Sequence, residues 1–397
     1  MTGGGERPRR LRLAHPGGET AVFVGAGALD AGCSGSAAEV VGPWLAGRAV
    51  FVVSTPRVLG LHGERLAPLL APAARRVDLA VPEGEAAKTP AVAADLWERL
   101  LAAGGRRDSR VVAFGGGSVG DLAGFAAGTF LRGVEVAQVP TTLLAQVDAS
   151  LGGKTGIDLP GGKNAVGLFH HPAVVVADTR LLATLPDAER RAGLVEAIKM
   201  ALVLDGALLA RIERELPALV AGDTAALAPV VAAAAAAKLG VVERDPDERD
   251  ERRVLNLGHT LGHALETALG YRGLRHGEAV AYGLLFALRL AERRGLDAAE
   301  PALFACVRAL LARLELPPLA AAAGGASELA PDRLLALASR DKKARESGLV
   351  WVLPVALGEG RAVGRFVGDL DPAAVATELV AFLADPFAPH RDALPQL

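Results

Sequence analysis

The chain has 397 residues, of which 51% are apolar and 22% charged, with a formal net charge of −2. That length supports two domains with separate cores, and the near-neutral balance leaves no basic stripe for a nucleic-acid or membrane-surface partner. The two cysteines, Cys33 and Cys306, form neither a disulfide framework nor a metal-ligand spacing, which fits a reducing, cytoplasmic setting.

No apolar run follows Arg7, Arg9 and Arg10, and Pro16 to Glu19 is polar and turn-like, so no signal peptide is expected. Apolar runs such as Val230 to Ala237 are too short to cross a bilayer. Up to about Leu185, β-branched runs alternate with helical stretches. Ala49 to Ser54, Arg110 to Phe114, Val134 to Val139 and Val174 to Asp178 read as buried strands, and Pro90 to Ala103 reads as a helix between two of them. Such alternation predicts βαβ units and a mostly parallel sheet. Past Pro186 the period becomes helical, over Ala188 to Leu204, Leu227 to Val242, Leu255 to Leu269 and Ala279 to Arg294. There only Leu349 to Val355 looks extended. The expected architecture is an α/β Rossmann-like nucleotide-binding domain over 1–186 followed by an all-α domain over 187–397, with Thr184 to Asp187 as the joint.

After the strand ending at Phe114, Gly115, Gly117 and Gly120 fit G-x-G-x-x-G and open a helix. Glycines there let backbone N–H groups approach a pyrophosphate at a helix N-terminus. The acidic ribose ligand usual some 20 residues later is absent, because Glu135 falls inside the next strand, so this is not a standard dinucleotide site. Upstream, Glu85 and Lys88 sit in a turn-like segment, where solvated loop charges are a sufficient explanation taken alone.

Three of the eight histidines, His259, His263 and His276, fall in one short segment. Read as a helix, Asn256, His259 and His263 share a face, and two imidazoles on one face suit a metal pocket better than core packing. A carboxylate from another helix would complete the set, and Glu196 is the candidate, with Lys199 one turn later. Three protein ligands leave a position open for substrate, as catalytic zinc sites do. Cations recur in apolar or glycine-rich settings: Lys154, Lys163 beside Asn164, Lys238 after six alanines, and Arg252 four residues before Asn256. Together they suit a small phosphorylated carboxylic acid.

The ordered segments VVAFGGGSVGDLAGFAAGTFLRG, VPTTLLAQVDASLGGKTGID, GGKNAVGLFHHP, LVEAIK and LNLGHTLGHALE with HGEAVA closely resemble the 3-dehydroquinate synthase family of sugar-phosphate cyclases, from about Glu83 to Leu357. The resemblance implies NAD, a zinc or cobalt ion, a homodimer, and conversion of 3-deoxy-D-arabino-heptulosonate 7-phosphate to 3-dehydroquinate on the route to aromatic amino acids. It implies Glu196, His259 and His276 as metal ligands. It assigns NAD to Glu85, Lys88, Gly116, Gly117, Gly120, Asp121, Thr141, Thr142, Lys163 and the segment Leu181 to Thr184. Substrate falls to Asp148, Lys154, Asn164, Lys199, Lys238, Arg252, Asn256, His263 and Lys342 or Lys343, and Arg132 is expected to reach the neighbouring subunit's site. Glu248 lies four residues before Arg252, as the acid of the family's motif does.

Two departures stand out. Thr55 and Arg57 replace the Asp and Asn that often hold the adenosine ribose, which leaves room for NADP, and Ile157, Asp158 and Leu159 replace a common Val-Asn-His without evident consequence. The alternatives are an aminodehydroquinate or valiolone-type cyclase, a glycerol-dehydrogenase-like polyol oxidoreductase, and a non-catalytic relative on the same fold, which is expected to lose a ligand or a substrate cation that this chain keeps. The assembled cations favour a carboxylated, phosphorylated substrate over either a neutral sugar phosphate or a polyol.

Overall fold

A computed structural model describes residues 7–33, 35–160, 162–340 and 349–390, so Lys342 and Lys343 lie outside the described residues. The chain forms two compact units, Met1–Arg190 with Ala221–Glu248, and Arg191–Val220 with Arg249–Leu397. The expected linear division at 186/187 thus differs in two respects: residues 187–190 belong to the first unit, and residues 221–248 return to it.

The first unit is built on a seven-stranded sheet. Its strands are β1 (Arg9–His15), β2 (Gly18–Val24), β3 (Ala49–Ser54), β4 (Arg75–Ala80), β5 (Arg110–Gly115), β6 (Glu135–Pro140) and, after a separate antiparallel hairpin of β7 (Lys154–Leu159) and β8 (Gly162–Phe169), β9 (Val174–Ala177). The sheet order is β1-β2-β9-β6-β5-β3-β4, parallel except for β1 against β2. The central strands are continuous apolar runs because helices cover both faces. Val111 and Ala113 belong to one core with Leu96 and Leu122, whereas Val112 and Phe114 belong to the other with Leu45 and Leu66. The strands that apolar runs do not announce are largely the edges. There, Arg9, Arg10 and Arg12 on β1, and Arg75 and Arg76 on β4, supply the charge that blocks further pairing.

The helix Thr224–Arg244 is longer than its apolar run suggested, and by length and composition it could cross a membrane. Its buried side chains, Leu227, Val230, Val231, Leu239 and Val242 among them, instead pack within the first unit, and its Lys238 is paired there with Asp148.

In the second unit the longer helices are Gly206–Ala221, His259–Ala268, His276–Arg293, Pro301–Ala312, Pro331–Arg340 and Pro372–Ala384, with most of Asp187–Leu204. The expectation of an all-α domain needs one amendment. Leu349 to Val355 contributes to strand β10 (Trp351–Gly358), and β10 pairs antiparallel with β11 (Arg361–Val367). The expected helix from Leu255 is also shorter. Glu251–Asn256 is a tight 3-10 turn, Gly258 turns left-handed at φ 80°, and the α-helix starts at His259.

Glycines then bring the histidine helices together. A Cβ on Gly283 would stand 1.8 Å from the Gly258 carbonyl oxygen, and one on Gly262 would stand 3.3 Å from Val280. Gly283→Ala is expected to force these two helices apart and lower stability by about 1–3 kcal/mol, read as a drop in the urea midpoint at unchanged slope.

Candidate functional site

In the first unit, β5 runs out at Gly115 and the helix Gly117–Thr129 begins after Gly116. A Cβ on Gly120 would stand 2.8 Å from the Gln138 side-chain oxygen, while Gln138 Nε2 donates to the Gly120 carbonyl at 3.1 Å. That is the close helix–strand approach for which dinucleotide loops keep their third glycine. Thr141 N–H donates to the Gly115 carbonyl at 2.9 Å, and the Thr142 methyl would meet a Cβ on Gly116 at 3.0 Å. Both threonines therefore flank the loop.

Beside the loop, Lys88 is 3% exposed and donates to Asp121 Oδ2 at 2.8 Å and to Asn164 Oδ1 at 2.5 Å. Asp158 and Glu85 carboxylates stand 3.9 and 4.0 Å from it. Burial alone would lower the Lys88 pKa, but the carboxylates of Asp121, Glu85 and Asp158 outweigh it and hold the ammonium above the usual lysine range. Burial likewise opposes ionisation of Glu85, and Lys88 with Lys163 outweighs it, so its pKa falls. Ser118, on the glycine-loop helix, donates to Glu85 at 3.2 Å. Asn164 is held at φ 48° with its N–H on Asp158 Oδ1 at 2.7 Å. Asp158, which looked inconsequential in the sequence, is thus part of the cluster.

The segment Thr179–Thr184 is a 3-10 turn capped by buried Asp178, which also accepts from the N–H groups of Gly27 and Leu29 at 3.3 and 3.2 Å. Leu181 is buried there, and the Thr184 hydroxyl meets His62 Nε2 at 2.8 Å. Burial, aided by the nearby Arg65 charge, keeps the His62 pKa below the usual histidine value. Thr55 plays a structural part, since its hydroxyl accepts from Val58 N–H at 3.2 Å and caps the helix Pro56–Leu70.

Two further ion pairs involve expected substrate residues. Lys238 Nζ lies 2.5 Å from both the backbone carbonyl and Oδ1 of Asp148, on the π-helical turn Ala145–Ala149. Lys154, half exposed, is paired with Glu248, itself at φ 55°. Arg132 is exposed at φ 68° in the turn Phe130–Arg132.

In the second unit, donor atoms of Glu196, His259 and His276 lie within 4.8 Å of one another. Glu196 has no exposed surface. Lys199 contacts it from the next turn, yet neither carboxylate oxygen has an aligned hydrogen-bond donor. His259 Nδ1 faces the Leu257 carbonyl at 3.1 Å, and its Nε2 faces Glu196 Oε1 at 3.8 Å. A buried carboxylate with unsatisfied oxygens beside two imidazoles fits a divalent ion of the zinc or cobalt type.

His263 is close as well, its ring centroid 5.3 Å from that of His259 and 6.1 Å from that of His276. The shared helix face expected for Asn256 does not exist, because the left-handed Gly258 separates Asn256 from the helix. Arg252 and Asn256 are also not one α-helical turn apart, because Glu251–Asn256 is a 3-10 turn, in which Arg252 is buried. Sequence reasoning also missed Glu266, buried beside His276. Its signal was present, since it lies three residues after His263 and seven after His259.

A family model described as 3-dehydroquinate synthase N-terminal matches residues 78–192, and one described as 3-dehydroquinate synthase C-terminal matches 193–344. The chain belongs to the 3-dehydroquinate synthase family. A 3-dehydroquinate synthase of Geobacter metallireducens is 47% identical over 318 residues, covering 79% of this chain and 85% of the relative. That of Azotobacter vinelandii is 44% identical over 346 residues, covering 87% and 90%. Among solved structures, a 2-deoxy-scyllo-inosose synthase complexed with carbaglucose-6-phosphate, NAD+ and Co2+ superposes with a TM-score of 0.76 at 26% identity, covering 94% of this chain and 99% of that one. A 2-epi-5-epi-valiolone synthase from Streptomyces hygroscopicus with NAD+ and Zn2+ gives 0.74 at 29%, covering 86% and 91%. A probable glycerol dehydrogenase from Sinorhizobium meliloti, at 20% identity and a TM-score of 0.61 over 93% of this chain and 98% of that one, shares the fold.

The Lys88 cluster yields a stability test. Lys88→Met leaves Asp121, Asp158 and Glu85 facing one another without a buried cation. We expect a loss of about 3 kcal/mol, at the low end for breaking a buried pair because the carboxylates keep some solvent contact. Denaturant unfolding at pH 7 measures it.

Proposed function

We propose that this protein is a 3-dehydroquinate synthase, converting 3-deoxy-D-arabino-heptulosonate 7-phosphate to 3-dehydroquinate and phosphate with NAD and zinc or cobalt. The observation that carries the reading is the convergence of Glu196, His259 and His276, within the stretch that the two family models match. The solved relatives with NAD+ and Co2+ or Zn2+ support the cofactor assignment.

In this reading, NAD supplies a hydride acceptor restored in each turnover, and the metal supplies a Lewis acid for the substrate's hydroxyls. The net change is phosphate elimination with ring closure, which makes the enzyme a lyase. Glu196, His259 and His276 hold the metal. The glycine loop, Thr141, Thr142, Leu181, Thr184 and the cluster of Glu85, Lys88, Asp121 and Lys163 hold the nucleotide. Lys154, Asn256, His263 and Lys342 bind the phosphate, and Lys238 and Arg252 bind the carboxylate. Asp148 orients Lys238, and Glu248 orients Lys154. Asn164 and Lys199 contact substrate hydroxyls.

The protein's contribution is chiefly positioning and fixed charge. A homodimer in which Arg132 enters the partner's site, and action in the cytoplasm, complete the proposal. Relatives named 3-dehydroquinate synthase at 41–48% identity favour this reading over the other cyclases, whose solved structures are 26–29% identical.

Substrate charge tests it. Charge-assisted hydrogen bonds contribute roughly 1.5–3 kcal/mol each, so Arg252→Ala should lower kcat/KM about ten- to a hundredfold with the metal still bound. A heptulose phosphate without the carboxylate should be a poor substrate and insensitive to the substitution. Turnover should proceed at substoichiometric NAD without NADH build-up. Preference for the neutral-headed sugar phosphate would turn the assignment to a valiolone-type cyclase, and stoichiometric NADH would turn it to a polyol dehydrogenase.

A further inference from the structure

The two histidines of the candidate metal site are anchored in parallel ways. His259 turns Nδ1 to a backbone carbonyl, which leaves Nε2 toward Glu196. His276 turns Nδ1 to Glu266 Oε2 at 3.2 Å. Imidazole has two ring nitrogens, and a neutral ring carries its proton on one of them. An acceptor at Nδ1 therefore selects the tautomer whose Nε2 lone pair is available to a metal.

His276 needs that anchor more than His259 does. Its side chain is 30% exposed against 11% for His259, so less packing restrains its ring. Its backbone is fixed by other means: a Cβ on the adjacent Gly277 would stand 2.1 Å from the Ala192 carbonyl, so the helix start sits hard against the helix carrying Glu196. The orientation of the imidazole is set separately from the backbone. Glu266, whose side chain is 2% exposed, reaches across from the end of the helix His259–Ala268 to limit that orientation.

We propose that Glu266 is a positioning residue that orients His276 and sets its tautomer for metal binding. The inference rests on the metal site of the proposed function. His263, Glu266 and His276 also lie within 4.8 Å of one another, so a rival role for Glu266 is that of a ligand in a different triad. The arrangement at Glu196 argues against it: that carboxylate is fully buried, and its oxygens lack aligned donors.

The test is zinc affinity of the full-length protein by chelator competition, with the cobalt absorption spectrum as a second readout. Wild type should bind one equivalent, and Glu196→Ala should abolish tight binding; failure of either result sinks the metal site itself, not the role of Glu266. Given both, Glu266→Ala should weaken zinc binding about ten- to a hundredfold, the usual effect of removing an outer carboxylate from a metal-bound histidine. Glu266→Gln keeps an oxygen that accepts the Nδ1 proton, so it should recover most of the affinity, with a loss under about tenfold, and keep the wild-type cobalt spectrum. Wild-type affinity in Glu266→Ala overturns the proposal. So does a Glu266→Gln variant as defective as Glu196→Ala, because that outcome makes Glu266 a ligand. Should Glu266→Ala fail to fold, the affinity and spectrum of Glu266→Gln still decide between these roles.

Discussion

The Glu196 carboxylate has no exposed surface and no aligned hydrogen-bond donor, and its nearest charged neighbour is Lys199 on its own helix. Its oxygens face the imidazoles of His259 and His276, and a divalent ion held by the three would give them the partners that protein donors do not. Three glycines of the second unit shape this arrangement. Gly258 turns the chain so that the helix begins at His259, Gly283 lets the two histidine helices touch, and Gly277 lets the start of the second press on the helix carrying Glu196. Small residues here shorten distances between backbones, and the three side chains converge as a result.

The first unit solves a related problem with the opposite sign. Lys88 is a buried cation surrounded by Asp121, Asp158 and Glu85, with the Asn164 side chain as an additional acceptor. The cluster ties together the 3-10 turn at Gly84–Ala87, the glycine-loop helix and the β7–β8 hairpin. Its groups are therefore held in place by one another. Such preorganisation is how a protein aims charge at a substrate without reorganising it during reaction.

Much of this was legible in the residues. The central parallel strands announced themselves because a strand buried on both faces must be apolar throughout, and Glu196, His259 and His276 were named from chemistry and resemblance together. The edge strands β1 and β4 were not seen, because arginines that protect an edge also hide the apolar pattern. The helix expected from Leu255 to Leu269 overran its true start, since periodicity alone does not register a left-handed glycine at 258. Asp158 was read as inconsequential and Glu266 was overlooked for a different reason. Each ends a segment that carries the family resemblance, yet its contact with Asn164 or His276 shows only in distances.

The claim on which the account turns is that one carboxylate and two imidazoles from three separate stretches of chain hold a single ion. Zinc-edge X-ray absorption on protein loaded with one equivalent of zinc tests it most directly. The account predicts a first shell of nitrogen and oxygen at about 2.0–2.2 Å, outer-shell scattering from two imidazoles, and loss of this spectrum in Glu196→Ala. A sulfur scatterer from Cys33 or Cys306, or an unchanged spectrum without the Glu196 carboxylate, would contradict it.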